Sequence, residues 1–165
     1  MTGVTEADLT AYLSAIVQWG ERYAVAFVGI DEDGGLALGR EPDGALVIDL
    51  EGRLPAPPRT RPAEIDVFER WRTFPGRGLV RVEYSFELRH RALDYRRALH
   101  HHDEQRFVRQ HRVATHEHCE ATMGFVACGH YFGFPVQNAI DGMTRLYDIW
   151  QSGAKPDCSE LRCLG

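Results

Sequence analysis

Lysine is almost missing from this chain. Of its nineteen basic residues only Lys155 is not arginine, a usage that reads as a GC-rich bacterial genome and carries no mechanism. No apolar run approaches the roughly 18 residues of a membrane-spanning helix, so no membrane partner is expected. The opening MTGVTEADLT has neither a basic n-region nor an apolar h-region, so no secretory leader is expected. Both absences point to the cytoplasm, where Cys119, Cys128, Cys158 and Cys163 would be mostly reduced thiols. Nucleophile elbow, phosphate-binding Walker loop and dinucleotide fingerprint are all missing. Glycine and proline are missing between Gly78 and Gly124, so any hairpin there must turn without them. Histidine is missing before residue 90 and after residue 130.

What is present is concentrated. All eight histidines fall between His90 and His130, and six lie in ALHHHDEQRFVRQHRVATHEHCE, residues 98–120. The net charge of −5 is unevenly spread. Residues 1–66 carry 12 acids and 5 bases, residues 67–118 carry 7 acids and 11 bases, and residues 119–165 carry 5 acids and 3 bases. The basic stretch is also the histidine-rich one. Local positive charge favours a polyanionic partner such as RNA, although a solvated arginine face gives the same composition.

The length of 165 residues suits one domain with a hydrophobic core. The expected fold is α+β: an antiparallel sheet with about three packed helices, N-terminal, middle and C-terminal. Thr5 and Asp8 make a helix start, and Leu9, Tyr12, Leu13, Ile16 and Gly20 continue one helical face. Three strands are expected at residues 22–30, 36–39 and 45–50, in a meander with turns at DEDGG (31–35) and EPDG (41–44). DEDGG lacks the ligand spacing of a calcium loop and reads as a plain turn. LPAPPRTRP, residues 54–62, reads as an extended connector able to separate two lobes. AEIDVFERWR, residues 63–72, is predicted as the middle helix with Ile65, Phe68 and Trp71 or Arg72 inward, ended by FPGRG.

LVRVEYSFELRH, residues 79–90, alternates strictly, with Val80, Val82, Tyr84, Phe86, Leu88 and His90 on the apolar side. Residues 93–101 fit a returning strand bearing Leu93, Tyr95, Arg97, Leu99 and His101 on one face, and fit a helix as well. GFVACGHYFGFP (124–135) reads as a buried turn or short strand. A final helix is expected to start at Pro135, with Val136, Ile140, Met143, Tyr147 and Trp150 aligned. Residues 1–153 then form the single domain, and 154–165 an irregular tail.

The histidines divide two ways. If residues 111–120 are extended, His116, His118 and Glu120 share one face and can converge on a metal or a phosphate. If they are helical, His116 pairs with Glu120 and His111 with His118, and the chelating pair is lost. Zinc could also draw on Cys128, His130, Cys158 and Cys163, but no standard zinc spacing occurs. No cofactor is expected on that ground; were a metal present, His116, His118 and Glu120 are the assigned ligands. Metal-free chemistry would use His102, His116 and His118 as acid and base on an RNA 2′-hydroxyl. Arg109, with Arg97, Arg106 and Arg112, would steady the transition-state charge. His100–His102 also read as a plain polar turn.

Three stretches, VEYSFELR, LDYRRALHHHD and HRVATHEHCE, followed by a closing helix, resemble the TumE-type toxins of bacterial toxin–antitoxin pairs. The resemblance spans about residues 79–151. It implies a central hairpin, a histidine cluster after it, a growth-inhibiting action on RNA and a restraining antitoxin partner, with His102, His116 and His118 nearest the family's histidine pattern. The chain departs from that pattern in having no prolines beside its histidines and in carrying residues 1–62. The expected function is therefore a histidine–arginine site binding or cleaving nucleic acid, as a metal-independent ribonuclease. The alternative is a non-catalytic metal-binding or protein-interaction module whose histidines are structural or hold zinc.

Overall fold

The computed structural model describes residues 4–28, 38–55, 62–102, 105–111, 114–124, 131–132, 136–152 and 158. Helix α1 (Glu6–Arg22) begins where Thr5 and Asp8 cap each other: Thr5 N donates to Asp8 Oδ2 at 2.8 Å and Asp8 N donates to Thr5 Oγ1 at 3.2 Å. Strands β1 (Ala26–Val28) and β2 (Gly39–Arg40) follow. Both pair with β3 (Leu46–Leu54), β1 with its C-terminal half and β2 with its start. They share one edge of β3, so the three do not form the expected meander. The EPDG turn is present, closed by Gly44 N donating to Glu41 O at 2.9 Å with Gly44 in the left-handed region. The DEDGG turn lies outside the described residues.

The expected middle helix is a strand. β4 (Ala63–Phe74) pairs with β3 from Ala63 to Trp71 and with β5 (Gly78–His90) from Glu64 to Phe74. Its inward residues are Ala63, Ile65, Val67 and Glu69, a period of two. Ile65, Phe68 and Trp71 also satisfy a period of three, and that coincidence produces the helical reading. FPGRG is the β4–β5 hairpin, with Gly76 and Gly78 at positive φ. Leu54 faces Ala63 in the β3–β4 register, so the strands on either side of LPAPPRTRP are paired neighbours in one sheet.

β5 returns into β6 (Tyr95–His102) through a 3₁₀ turn, Arg91–Leu93. Asp94 takes the left-handed conformation that a glycine would otherwise supply, and its carboxylate accepts from Met123 N at 3.1 Å. The seven-residue helix α2 (Gln105–His111) leads to β7 (Thr115–Glu120), followed by β8 (Tyr131–Phe132). The antiparallel sheet runs β1-β3-β4-β5-β6-β7-β8, with β2 also on β3. Helix α3 (Ala139–Gln151) starts after Asn138, whose side chain accepts from Asp141 N, four residues later than Pro135 suggests. The long helices are thus α1 and α3, two where three are expected.

Both pack on one face of the sheet. Leu9, Leu13 and Ile16 of α1 and Met143, Leu146 and Trp150 of α3 are buried with Ile48, Leu50, Ile65, Val67, Phe86, Leu88 and Leu99. Trp19 Nε1 donates to Thr144 Oγ1 at 3.0 Å, joining the helices. A register shift at Arg70/Trp71 places Trp71 opposite Arg81 and leaves Val82 as the extra residue of β5. Beyond it the faces exchange. Arg81, outward by simple alternation, is buried and bonds Glu69, which also accepts from Tyr12 Oη and Trp71 Nε1.

No helix among the described residues is long and apolar enough to cross a membrane. Cys119 and Cys158 are joined in a disulfide with Cα atoms 5.6 Å apart. That corrects the expectation of reduced thiols for these two residues. Cys128, Cys163, His130 and the tail apart from Cys158 lie outside the described residues.

Candidate metal centre

The sheet face opposite the helices carries the imidazoles. Residues 115–120 are extended, so His116, His118 and Glu120 share a face as the alternation requires. The β6–β7 register pairs His100 with His116 and Ala98 with His118. His100 and His102 belong to β6 on that same face, not to a polar turn. His101 points the other way. Its ring stacks at 5.5 Å on Tyr84, and its Nδ1 is 2.9 Å from Thr115 Oγ1.

Four rings therefore meet across two neighbouring strands. Ring centroids are 5.3 Å apart for His100–His116, 4.9 Å for His100–His118 and 5.1 Å for His116–His118. His102 lies 5.8 Å from His100 and 5.5 Å from His116. One nitrogen from each of His100, His116 and His118 falls within 4.8 Å of the others. Tetrahedral zinc bound at about 2.1 Å sets such nitrogens roughly 3.4 Å apart, so ring shifts of about 1 Å complete the set. Three imidazoles suit zinc, copper, nickel or iron rather than magnesium or calcium.

The surroundings of His100 favour its neutral ring. Burial, then the neighbouring histidines and Arg96, hold His100 well below its ordinary pKa. His100 Nε2 is buried and makes no hydrogen bond among the described residues, with Glu87 Oε1 3.7 Å away. A buried imidazole nitrogen without a partner is costly, and a metal ion would satisfy it. His102 Nδ1 is 3.1 Å from Glu83 Oε1. That bond holds the Glu83 carboxyl below the ordinary range.

The expected site residues separate accordingly. His102, His116 and His118 come together. Glu120 does not join them, because one carboxylate oxygen takes Arg96 and the other accepts from Gly124 N at 2.9 Å. His100 stands in its place. Sequence reasoning missed it, though the alternation of LDYRRALHHH puts His100 and His102 on one face once the strand is accepted. Arg109 is exposed on α2 and donates to Gln105 at 3.1 Å. Arg97 faces the helices and bonds buried Glu117. Arg106 is exposed, with its charge felt at Glu83; Arg112 and the His111 side chain lie outside the description. The arginine that borders the imidazoles is Arg96, held between Glu87 and Glu120. Cys158, in its disulfide, cannot serve as a thiolate ligand.

Charge extends beyond the rings on this face. The registers align Glu51, Asp66 and Glu87 across β3, β4 and β5, ending at Ala98 and His118. Arg53, Glu64, Arg89, Arg96 and Glu120 form the adjoining row. Comparison with protein-family models, with curated proteins and with solved structures finds no match for the chain.

Proposed function

We propose that this protein binds one transition-metal ion through His100, His116 and His118 and works as a metalloprotein. The observation that carries the reading is the convergence of three imidazole nitrogens within 4.8 Å, one of the rings presenting a buried nitrogen with no hydrogen bond. Neutral imidazoles are the form a metal requires, and zinc is the simplest occupant for such a set. Metal analysis of protein purified without a polyhistidine tag tests this. About one equivalent of zinc, copper, nickel or iron is expected, and His116→Ala and His118→Ala should each lose it. Wild-type protein that takes up none of these metals on dialysis sinks the reading.

A second reading rests on the Glu83–His102 pair beside His116. A carboxylate that orients an imidazole next to another imidazole is the arrangement of a general base and acid. With the toxin resemblance, it makes RNA the substrate and an antitoxin the partner. Metal-free protein that cleaves RNA, and stops on His118→Ala, would favour it over the metal centre.

A further inference from the structure

We infer that His102 is the fourth ligand of this centre and that Glu83 holds it in place; the inference rests on the three-histidine reading above. A fourth donor decides what such a centre does. Three protein ligands leave a position for water and hence for hydrolysis, whereas four close the site.

Spacing is the first argument. Four imidazoles around one tetrahedral ion place neighbouring ring centroids about 5 Å apart, from a metal–nitrogen distance of about 2.1 Å and the size of the ring. The three ligand rings stand 4.9–5.3 Å apart. His102 stands 5.5 and 5.8 Å from His116 and His100, outside the group whose nitrogens converge within 4.8 Å, so its ring must swing inward to complete the shell.

Orientation is the second argument. His102 Nδ1 faces Glu83 Oε1 at 3.1 Å. A ligating histidine commonly gives its other ring N–H to a carboxylate, which fixes the tautomer and the ring plane. The Glu83 bond thus assigns Nε2 of His102 as the coordinating nitrogen. Glu83 faces His102 directly in the β5–β6 register, so the sheet itself sets this pair.

The chemistry follows. Four neutral imidazoles leave the ion's charge uncompensated in its first shell and offer no oxygen, which disfavours magnesium and calcium and suits zinc, cobalt, nickel or copper. A closed shell presents no labile water, so the ion is held for structure or for electron transfer, not for hydrolysis.

Cobalt(II) loaded onto the full-length protein tests this through its visible spectrum and a competing chelator. Wild-type protein should bind one cobalt, with a spectrum that added azide does not change. His102→Ala should bind at least 10-fold more weakly, respond to azide, and regain the original spectrum with free imidazole. Glu83→Gln should weaken binding about 10–100-fold with the wild-type spectrum kept, a readout that stands even if the alanine variant folds poorly. A wild-type spectrum that shifts with azide, with cobalt affinity unchanged in His102→Ala, overturns the fourth ligand while leaving the three-histidine centre standing. Failure of the wild-type protein to bind cobalt, or full binding by His116→Ala, overturns both.

Discussion

At the scale of single residues, the outer face of the sheet sets like charges side by side and the chain manages them by pairing. Asp66 sits between Glu51 and Glu87 in the strand registers. Burial, helped by Glu87, Glu51 and Glu64 and opposed by Arg89, pushes its carboxyl up to about 6. A carboxyl raised in the folded state binds its proton more tightly there than in the unfolded chain, whose value is about 3.9. Its contribution to stability is therefore present at low pH and lost as pH rises through about 6. Asp66→Asn removes that dependence. Relative to wild type, the variant should gain stability between pH 4 and pH 7, read from urea midpoints at each pH. A difference that stays flat, or that runs the other way, would show that Arg89 outweighs burial at this position. Glu69 shows the opposite solution. Its side chain is fully buried and burial raises its carboxyl, yet Arg81, Tyr12 and Trp71 all donate to it. The alternating pattern hid that pair, since only the extra residue Val82 turns Arg81 inward.

At the scale of elements, strands were legible where one period fitted alone. Residues 79–90 alternate without competition, and the strand lies there. Residues 63–72 fit both periods, and choosing the strand meant accepting a charged Glu69 in the core, which sequence alone disfavours. Helix α1 was legible from its capping residues and apolar spacing. Its partner α3 depends on a feature no pattern showed: Gly142 lies on the ring of Phe86, and a Cβ there would come within 2.4 Å of it. Gly142→Ala gains about 1 kcal/mol of helix propensity. It also drives a methyl against a fully buried ring, an overpacking cost of about 1–3 kcal/mol. The second effect wins because Phe86 is fully buried, so a net loss of up to about 2 kcal/mol is expected in chemical unfolding. Equal or greater stability in the variant would mean that α3 slides freely over β5. The disulfide acts at the same scale, closing a separation of 39 residues between β7 and Cys158. Chain entropy gives such a loop about 4 kcal/mol. Cys158→Ser should lower stability by about 2–4 kcal/mol under oxidising conditions and by nothing in excess reductant. A loss that persists undiminished in reductant would assign the effect to packing at Cys158 and not to the crosslink.

At the scale of the whole molecule, the imidazole group exists only because two strands pair in one register. The sequence placed six histidines within residues 98–120, and alternation joined His116 to His118. What it could not supply was the pairing of His100 with His116, because register follows from the β6–β7 contact and a shift of one residue would turn a strand's histidines to the other face. The site is thus a property of the folded sheet, and folding and metal binding are linked. An ion that binds the folded protein and not the unfolded chain stabilises it by about 2.7 kcal/mol at a free concentration 100 times its Kd. For a chain of this size each kcal/mol is worth about 2–4 °C. Zinc at that excess should therefore raise the Tm by about 5–10 °C, and a chelator should reverse the shift. The same titration on His116→Ala should leave its Tm where it started, since the central pair of the register is broken there. Helices α1 and α3 pack on the opposite face, so the shift must travel through the sheet. It appears in a single cooperative transition only if both faces unfold together. A wild-type Tm indifferent to both zinc and chelator would remove the metal from any part in holding this fold.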